Sequence, residues 1–398
     1  MIRFFTTIFA FVILMTTIQA QTDTEQLKNK RAKTDYGFYN VIDFKYHHGR
    51  FLKNSGTLDD IMDNPYDALD FRVGFQSDGK NQIWDQIYGF PVYGIGFYNA
   101  YFEGGELGSP AALYMFMRAP VIKGKKLSWN WELAVGLSYG FYPYNPNDNP
   151  DQQVIGSEQN VYFNAATGIS YNLGSRWDIT LDMDVTHFSN GSTRTPNLGV
   201  NLVGLALGGR YNFNPVRNYT KKIDPDYQPP HRPVLIRKEI PKYNRHSEII
   251  IFGSMGGKTT TTQIYDGPTY FISSLSVDYA WAYHHVGKVG IGFDAFYESA
   301  LRDYPEKIED PSLSDLTFFG WHIAHYLKMY RLTLVTQIGF NLSDHVSHKG
   351  NTYIQVGGSF DITDQFFARA ALKTRNGAVA DFIEWGLGYR IPFAYSQK

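Results

Sequence analysis

The feature that most constrains the fold of this chain is a strict alternation of apolar and polar residues over long stretches. Within residues 177–189, apolar side chains occupy every second position from Trp177 to Val185, and aspartate or threonine lies between them. Period-2 alternation is typical of a strand, because successive side chains of a strand point to opposite faces. The stretch exceeds the usual soluble strand of about 5–6 residues and reaches the roughly 9–11 residues of a membrane-spanning strand.

Sixteen such segments follow one another along the chain, separated by turn residues. They lie near residues 36–48, 67–77, 89–102, 110–122, 127–142, 158–173, 176–189, 199–213, 245–255, 269–284, 287–299, 315–328, 330–342, 351–362, 365–375 and 381–393. An even number of long strands is typical of a closed outer-membrane barrel. The 29 Tyr, 29 Phe and 37 Gly agree with this, because only one face of each barrel strand contacts lipid. We predict an all-β, antiparallel outer-membrane β-barrel.

The segments fall into two sets of eight on either side of a proline-rich stretch. Residues 214–244 contain six prolines and show no alternation, which is typical of a polar linker. The sequence Gly-Ile-Gly-Phe occurs once in each set, at 94–97 and at 290–293. We therefore predict two tandem eight-stranded barrels, over 36–213 and 245–393. A single 16-stranded barrel interrupted by the linker is the alternative.

The N-terminus has the pattern of a secretory signal peptide. Arg3 precedes an apolar run from Phe4 to Met15. A cleavage site with a small residue ends at Ala20, and cleavage is expected after it. The run is too short for a spanning helix, which needs about 20 residues. We predict a signal peptide over 1–20 and export to the bacterial outer membrane.

Composition excludes several kinds of site and partner. The chain has no cysteine, so disulfides and thiolate metal sites are absent. Its 37 Lys+Arg balance 38 Asp+Glu, so no nucleic-acid partner is predicted. No phosphate-binding loop or dinucleotide motif is present. We predict no metal ion and no organic cofactor.

The stretch 185–201 brings polar, chemically useful side chains onto a lipid-facing strand surface. By alternation, His187 and Ser189 extend the apolar face of one strand, and Asn201 lies at a similar height on the next. A serine becomes nucleophilic when an adjacent base takes its proton, and a third group orients that base. We assign these roles to Ser189, His187 and Asn201, with oxyanion contacts from the residues that follow: Asn190, Gly191 and Asn197. The alternative is that the histidine and serine are ordinary interfacial residues.

A family resemblance favours the catalytic interpretation. The motif consists of several residues at fixed spacing: His187, Ser189, Asn190, Pro196, Asn197, Gly199 and a polar residue at position 201. It resembles the lipid A 3-O-deacylase family over residues 36–213, and it is similar to the outer-membrane acyloxyacyl hydrolase-like proteins of the Bacteroidetes. The resemblance implies an eight-stranded barrel with a Ser-His-Glu triad on its outer wall. The chain departs from it by carrying Asn201 where the family has an acid; Glu158 is an alternative acid.

The expected function follows from this resemblance. It implies an esterase that removes an ester-linked acyl chain from lipid A or a related outer-leaflet glycolipid. The second half lacks a His-x-Ser motif and is expected to be structural, to present substrate or to hold a partner. The alternatives are a non-enzymatic barrel, either porin-like or an adhesin, and a retired enzyme that has lost its acid. The sequence leaves open whether the chain forms a homodimer.

Overall fold

The chain forms sixteen long strands and very little helix. The computed structural model describes residues 39–52, 63–79, 83–213, 231–233, 235–243, 245–260, 267–303, 305–376 and 379–394. The first eight strands, β1–β8, are Tyr39–Phe51, Pro65–Gln76, Val92–Phe102, Gly108–Lys123, Leu127–Phe141, Asn160–Asn172, Trp177–Ser189 and Val200–Asn212. The second eight, β9–β16, are His246–Lys258, Tyr270–His284, Gly287–Glu298, Thr317–Met329, Leu332–Asn341, Thr352–Asp361, Phe366–Arg375 and Val379–Ala394. A short helix α1 (Ile83–Ile87) and two 3₁₀ turns (Ser299–Arg302, Asp344–Lys349) complete the described elements.

The strands close into two separate antiparallel barrels. Strand β1 pairs with β8, so that Val41 lies opposite Asn212, and strand β9 pairs with β16. The predicted pair of eight-stranded barrels is confirmed, and the alternative of one 16-stranded barrel is wrong, because each set closes on itself. We call β1–β8 the first barrel and β9–β16 the second barrel.

The sixteen predicted segments coincide with the sixteen strands, and their ends differ by at most three residues. The predicted segments agree with the strands because the exposure of the side chains alternates along each strand in the same way as their apolar character. On β7, for example, Leu181 and Met183 are exposed on the outer wall, whereas Asp182 and Asp184 are buried inside. The two Gly-Ile-Gly-Phe sequences lie on β3 and β11, the third strand of each barrel. Within the described ranges, no helix is long and apolar enough to cross a membrane.

The interior of the first barrel is filled with side chains. Glu132 is fully buried and pairs with Lys45 at 3.3 Å, with Arg118 at 3.2 Å and with Arg72. Asp182 also pairs with Lys45, at 2.9 Å. Burial of charges is costly unless they are paired, and this network pairs them. Nearer the outer end, a plug of buried rings fills the barrel: Tyr98, Tyr114, Phe141, Tyr162 and Phe188.

The second barrel carries its main ionic network at one end. The carboxylate of Asp381 pairs with Lys258 at 2.5 Å, with Lys349 at 2.9 Å and with Lys373 at 3.4 Å. Glu298 pairs with Lys258 at 2.8 Å. These side chains come from the last residues of β9, β11 and β15, from the start of β16 and from the 3₁₀ turn that ends at Lys349. They close the barrel at the end that also holds its longer loops.

Connection lengths orient both barrels in the membrane. Several connections on one side are tight turns, such as residues 124–126 and 285–286, whereas those on the other side include the 18-residue segment 142–159. Short turns are typical of the periplasmic side and longer loops of the extracellular side. Strand β7 therefore runs outward and β8 returns.

Where it is described, the segment between the barrels lies on the periplasmic side and has no regular secondary structure. Ile236 N–H donates to the Asp78 carbonyl at 2.8 Å, and Gln86 exchanges two hydrogen bonds with the Lys238 backbone, at 2.6 and 2.9 Å. This part of the chain is therefore packed on the β2–β3 connection. The predicted signal peptide, residues 1–20, lies outside the described residues.

Candidate active site

The candidate site lies at the outer end of β7, where the lipid-facing stripe becomes polar. Leu181, Met183 and Val185 are exposed on the outer wall, and His187 and Ser189 continue the same face. His187 is half-buried and Ser189 is buried, and the loops 142–159 and 190–199 meet at this end of the strand, where Ile155 pairs with Asn197. The polar pair therefore lies between an apolar, lipid-facing wall and a layer of loops.

His187 is bound by Asn201 across the β7–β8 ladder. The strand register places the two residues directly opposite each other, as the alternation predicts. His187 Nδ1 lies 2.6 Å from Asn201 Oδ1. An amide oxygen only accepts hydrogen bonds, so Nδ1 is the protonated nitrogen of the neutral ring and Nε2 carries the lone pair. The ring is therefore held in the tautomer that a general base requires.

The Ser189 hydroxyl oxygen accepts two hydrogen bonds. The Gly191 N–H donates to Oγ at 3.1 Å, and Asn197 Nδ2 donates at 3.0 Å. The amide of Asn197 is fixed in this orientation because its Oδ1 accepts from the Asn190 N–H at 3.1 Å. Two donors therefore converge on the serine oxygen. Although both residues are described, no direct hydrogen bond joins His187 to Ser189.

A tight turn presents the Gly191 N–H. Thr193 N–H donates to the Asn190 carbonyl at 3.4 Å, and both central residues, Gly191 and Ser192, have φ of +61°. Two positive φ values at the centre are the property of a type I′ turn, and glycine is favoured at its first central position, which Gly191 occupies. Gly191 is therefore explained by the turn as well as by chemistry.

A serine outside the predicted motif anchors this turn. Asn190 Nδ2 donates to Ser157 Oγ at 2.7 Å, and Leu198 N–H donates to the Val154 carbonyl at 2.8 Å. The 142–159 loop thus holds the 190–199 loop from two points. Ser157 was missed in the sequence because it lies in an irregular loop, where alternation gives no register.

Gly199 approaches the histidine ring closely. It has φ of +74°, and a Cβ at this position would lie 3.0 Å from His187 Cε1 and 3.2 Å from the Phe188 carbonyl oxygen. The glycine at this point of the motif is therefore required both by its backbone conformation and by the space that the imidazole occupies.

The alternative acid, Glu158, does not contact His187. Its side chain interacts with the Tyr139 hydroxyl on the neighbouring strand. Of the two candidates for the third group, only Asn201 lies against the imidazole. Among the described residues, no cluster of three or more metal-ligating side chains occurs.

Two family models match the chain, one on each barrel. "Lipid A 3-O-deacylase (PagL)" matches residues 69–210, and "Acyloxyacyl hydrolase, C-terminal domain" matches residues 246–393. The first match contains the whole of the motif around Ser189, and the second spans β9–β16.

The chain belongs to the lipid A 3-O-deacylase family.

Members of this family are hydrolases, and the chain is an outer-membrane β-barrel protein. The predicted resemblance of the first half is confirmed. The second half also matches a model of an acyloxyacyl hydrolase, although it lacks the His-x-Ser motif.

Two solved structures are similar to this chain over about the length of one barrel. The outer-membrane enzyme PagL is 18% identical, with a TM-score of 0.29, over 42% of this chain and 97% of that chain. Neisserial surface protein A is 9% identical, with a TM-score of 0.31, over 44% of this chain and 97% of that chain. No curated protein sequence matches the chain.

In the second barrel, the position equivalent to the candidate site carries different residues. Its seventh strand, β15, ends in Lys373, Thr374 and Arg375, and Lys373 points into the barrel, where it pairs with Asp381. A histidine and a serine two residues apart are absent from this described strand. The candidate chemistry therefore lies in the first barrel alone.

Proposed function

We propose that this family member is an outer-membrane esterase that removes an ester-linked acyl chain from lipid A or a related outer-leaflet glycolipid. Support comes from one observation above all, the convergence of the Gly191 N–H and the Asn197 amide on Ser189 Oγ beside an oriented His187. A buried serine with two donors aimed at its oxygen is suited to acyl transfer.

The first step forms an acyl-enzyme. Ser189 Oγ attacks the ester carbonyl carbon, and His187 Nε2 takes the hydroxyl proton. The carbonyl π electrons move to oxygen, giving a tetrahedral intermediate. When that intermediate collapses, the bond to the sugar oxygen breaks, and His187 returns the proton to the departing alcohol.

Donors next to the nucleophile stabilise the negative oxygen of the intermediate. The Gly191 N–H and Asn197 Nδ2 already point at Ser189 Oγ, so a carbonyl carbon bonded to Oγ brings its oxygen into their range. Such preorganised donors contribute because they need no rearrangement as charge develops. Asn190 acts through Asn197, by fixing its amide with a backbone N–H.

The second step releases the fatty acid. Water attacks the acyl-enzyme, His187 takes its proton, and the Ser189 oxygen leaves with that proton restored. Asn201 holds the imidazole through both steps. It carries no negative charge, so it orients the protonated ring without the electrostatic stabilisation that a carboxylate provides. No step uses a metal ion or an organic cofactor.

The surroundings of Ser189 suit a lipid substrate. The exposed stripe of Leu181, Met183 and Val185 lies directly below the site on the outer wall. Acyl chains in the outer leaflet contact such a wall, and an ester near the headgroups then lies at the height of the serine. The deacylation step requires that water reach the same height.

The alternative of a porin-like barrel has less support. The ionic network around Glu132 and the plug of rings around Tyr162 fill the first barrel, which leaves no wide channel through its described interior. Conductance in planar bilayers would favour this alternative.

Mass spectrometry of lipid A from cells with and without the gene tests the proposed function. The esterase proposal predicts a lipid A species in gene-bearing cells that is lighter by one ester-linked acyl chain. Identical lipid A profiles, with the protein detected in the outer membrane, would favour the non-enzymatic or retired-enzyme alternatives.

A further inference from the structure

The turn that carries the candidate oxyanion donor is held by the second barrel as well as by the first. The Ser192 carbonyl accepts from the Thr259 N–H at 3.0 Å, and Ser192 Oγ donates to the Ala380 carbonyl at 2.9 Å. Thr259 follows β9 and Ala380 is the second residue of β16, so both partners lie at the outer end of the seam that closes the second barrel.

Packing tightens the same contact. A Cβ at Gly191 would lie 2.1 Å from Ile383 Cγ1 and 2.3 Å from its Cδ1, so the glycine backbone rests directly on the Ile383 side chain. Ile383 lies on the outer wall of β16, on the same face as the exposed Trp385 and Leu387. The Thr259 hydroxyl also donates to the Ser192 carbonyl, at 3.4 Å. The second barrel therefore supports the turn with one apolar contact and three hydrogen bonds.

The backbone conformation of Ser192 indicates that these contacts determine the turn. A non-glycine residue at φ of +61° is disfavoured and persists when its surroundings hold it. The groups that hold the carbonyl and hydroxyl of Ser192 belong to Thr259 and Ala380. Asn190, on the other side of Gly191, is held by Ser157 of the first barrel. The Gly191 N–H thus lies between two anchors, one from each barrel.

We infer that the second barrel positions the Gly191 N–H at Ser189, so that the catalytic site of the first barrel is complete only when the second is docked against it. Ser192, Thr259 and Ile383 are then positioning residues for the reaction. This inference rests on the proposed function. It gives the second barrel, which lacks the His-x-Ser motif, a role in the same chemistry.

Release of fatty acid from purified lipopolysaccharide in mixed micelles, measured as kcat and KM, tests this role. Ile383→Ala and Ser192→Ala are each expected to lower kcat by about fivefold, the effect of losing one modest contact in the transition state, while KM stays within about twofold. Ile383→Val, which keeps most of the contact, is expected to retain most of the activity.

Two matched controls separate positioning from general damage. Leu387→Ala removes the same kind of side chain from the same face of β16, away from the turn. Tyr88→Phe removes a hydrogen bond of 2.6 Å between the Tyr88 hydroxyl and the Lys328 carbonyl, which joins the two barrels at the periplasmic side. Both are expected to keep the wild-type kcat. Slower gel migration after heating, typical of folded barrels, verifies that each variant is folded.

The outcomes distinguish this inference from the proposed function. No release by the wild-type protein, together with no labelling of Ser189 by a fluorophosphonate, overturns the esterase proposal. Release by wild type with unchanged kcat in both Ile383→Ala and Ser192→Ala overturns the positioning role alone. Equal losses in Leu387→Ala and Tyr88→Phe also overturn it, because the effect would then not be specific to the turn.

Discussion

The imidazole of His187 and the amide of Asn201 face each other across β7 and β8, with 2.6 Å between Nδ1 and Oδ1. This pair orients the ring with a neutral group where the family resemblance implies an acid. The charge of the side chain at position 201 is therefore expected to affect kcat.

Asn201→Asp is expected to raise kcat, because the isosteric carboxylate keeps the hydrogen bond and stabilises the protonated imidazole that forms during attack. A gain of at least about tenfold is expected, since the charge of the third group matters strongly in such triads. Asn201→Ala is expected to lower kcat by about tenfold through loss of orientation. Steady-state release of fatty acid measures both. Equal kcat in all three proteins would show that residue 201 takes no part in the reaction.

Gly199→Ala is expected to reduce activity by displacing the histidine ring. The added Cβ would lie 3.0 Å from His187 Cε1, at a backbone φ of +74°. We expect kcat to fall by about tenfold or more, because catalysis is sensitive to misplacement of the base. Gly105→Ala is the matched control, since its φ is +85° and its Cβ would meet no atom within 4 Å. Similar losses in both variants would attribute the effect to backbone strain and not to the ring.

How much of the site could be predicted from the sequence depends on where regular strands end. Alternation along β7 and β8 fixes which face each side chain occupies, so the placement of His187 opposite Asn201 follows from the pattern. The anchor Ser157 and the contact of Ser192 with Ala380 do not follow from it. Both involve irregular loops, and the second joins residues 188 positions apart, for which no local pattern exists.

The same limit applies to the fold. Strand positions and the closure into two barrels follow from alternation and from the linker, whereas the ionic pairing inside each barrel does not. Alternation predicts that Glu132 points inward, but not that it pairs with three cations from three other strands. Such pairing depends on how the barrel closes in three dimensions.

Glu132→Gln is expected to destabilise the first barrel strongly. It removes the carboxylate that pairs with Lys45, Arg72 and Arg118, leaving buried positive charge without compensation. A loss of about 3–5 kcal/mol in the free energy of unfolding is expected. Urea unfolding in detergent micelles measures it. The exposed Glu103→Gln serves as the control, for which a change within about 0.5 kcal/mol is expected. Equal stability of the two variants would contradict a structural role for the network.

The free energy of unfolding is expected to depend on pH through the carboxyl of Asp85. Burial of this side chain in the periplasmic β2–β3 connection, together with the nearby Asp78, raises the pKa of its carboxyl to about 6. A raised pKa means that the folded state favours the protonated form, so this stabilisation is present below the unfolded pKa and is lost as pH rises through about 6. Asp85→Asn should therefore raise the urea midpoint at about pH 8 but not at about pH 3, whereas the exposed Asp151→Asn should not. An equal change at both pH values would contradict this account.

The most direct test of the central claim is the release of fatty acid from purified lipopolysaccharide by Ser189→Ala. This substitution removes the Oγ atom to which Gly191 and Asn197 donate, and it leaves the lipid-facing wall unchanged. The account predicts a folded barrel that releases no fatty acid above background, next to a wild-type protein that does. Release by Ser189→Ala at the wild-type rate would contradict it.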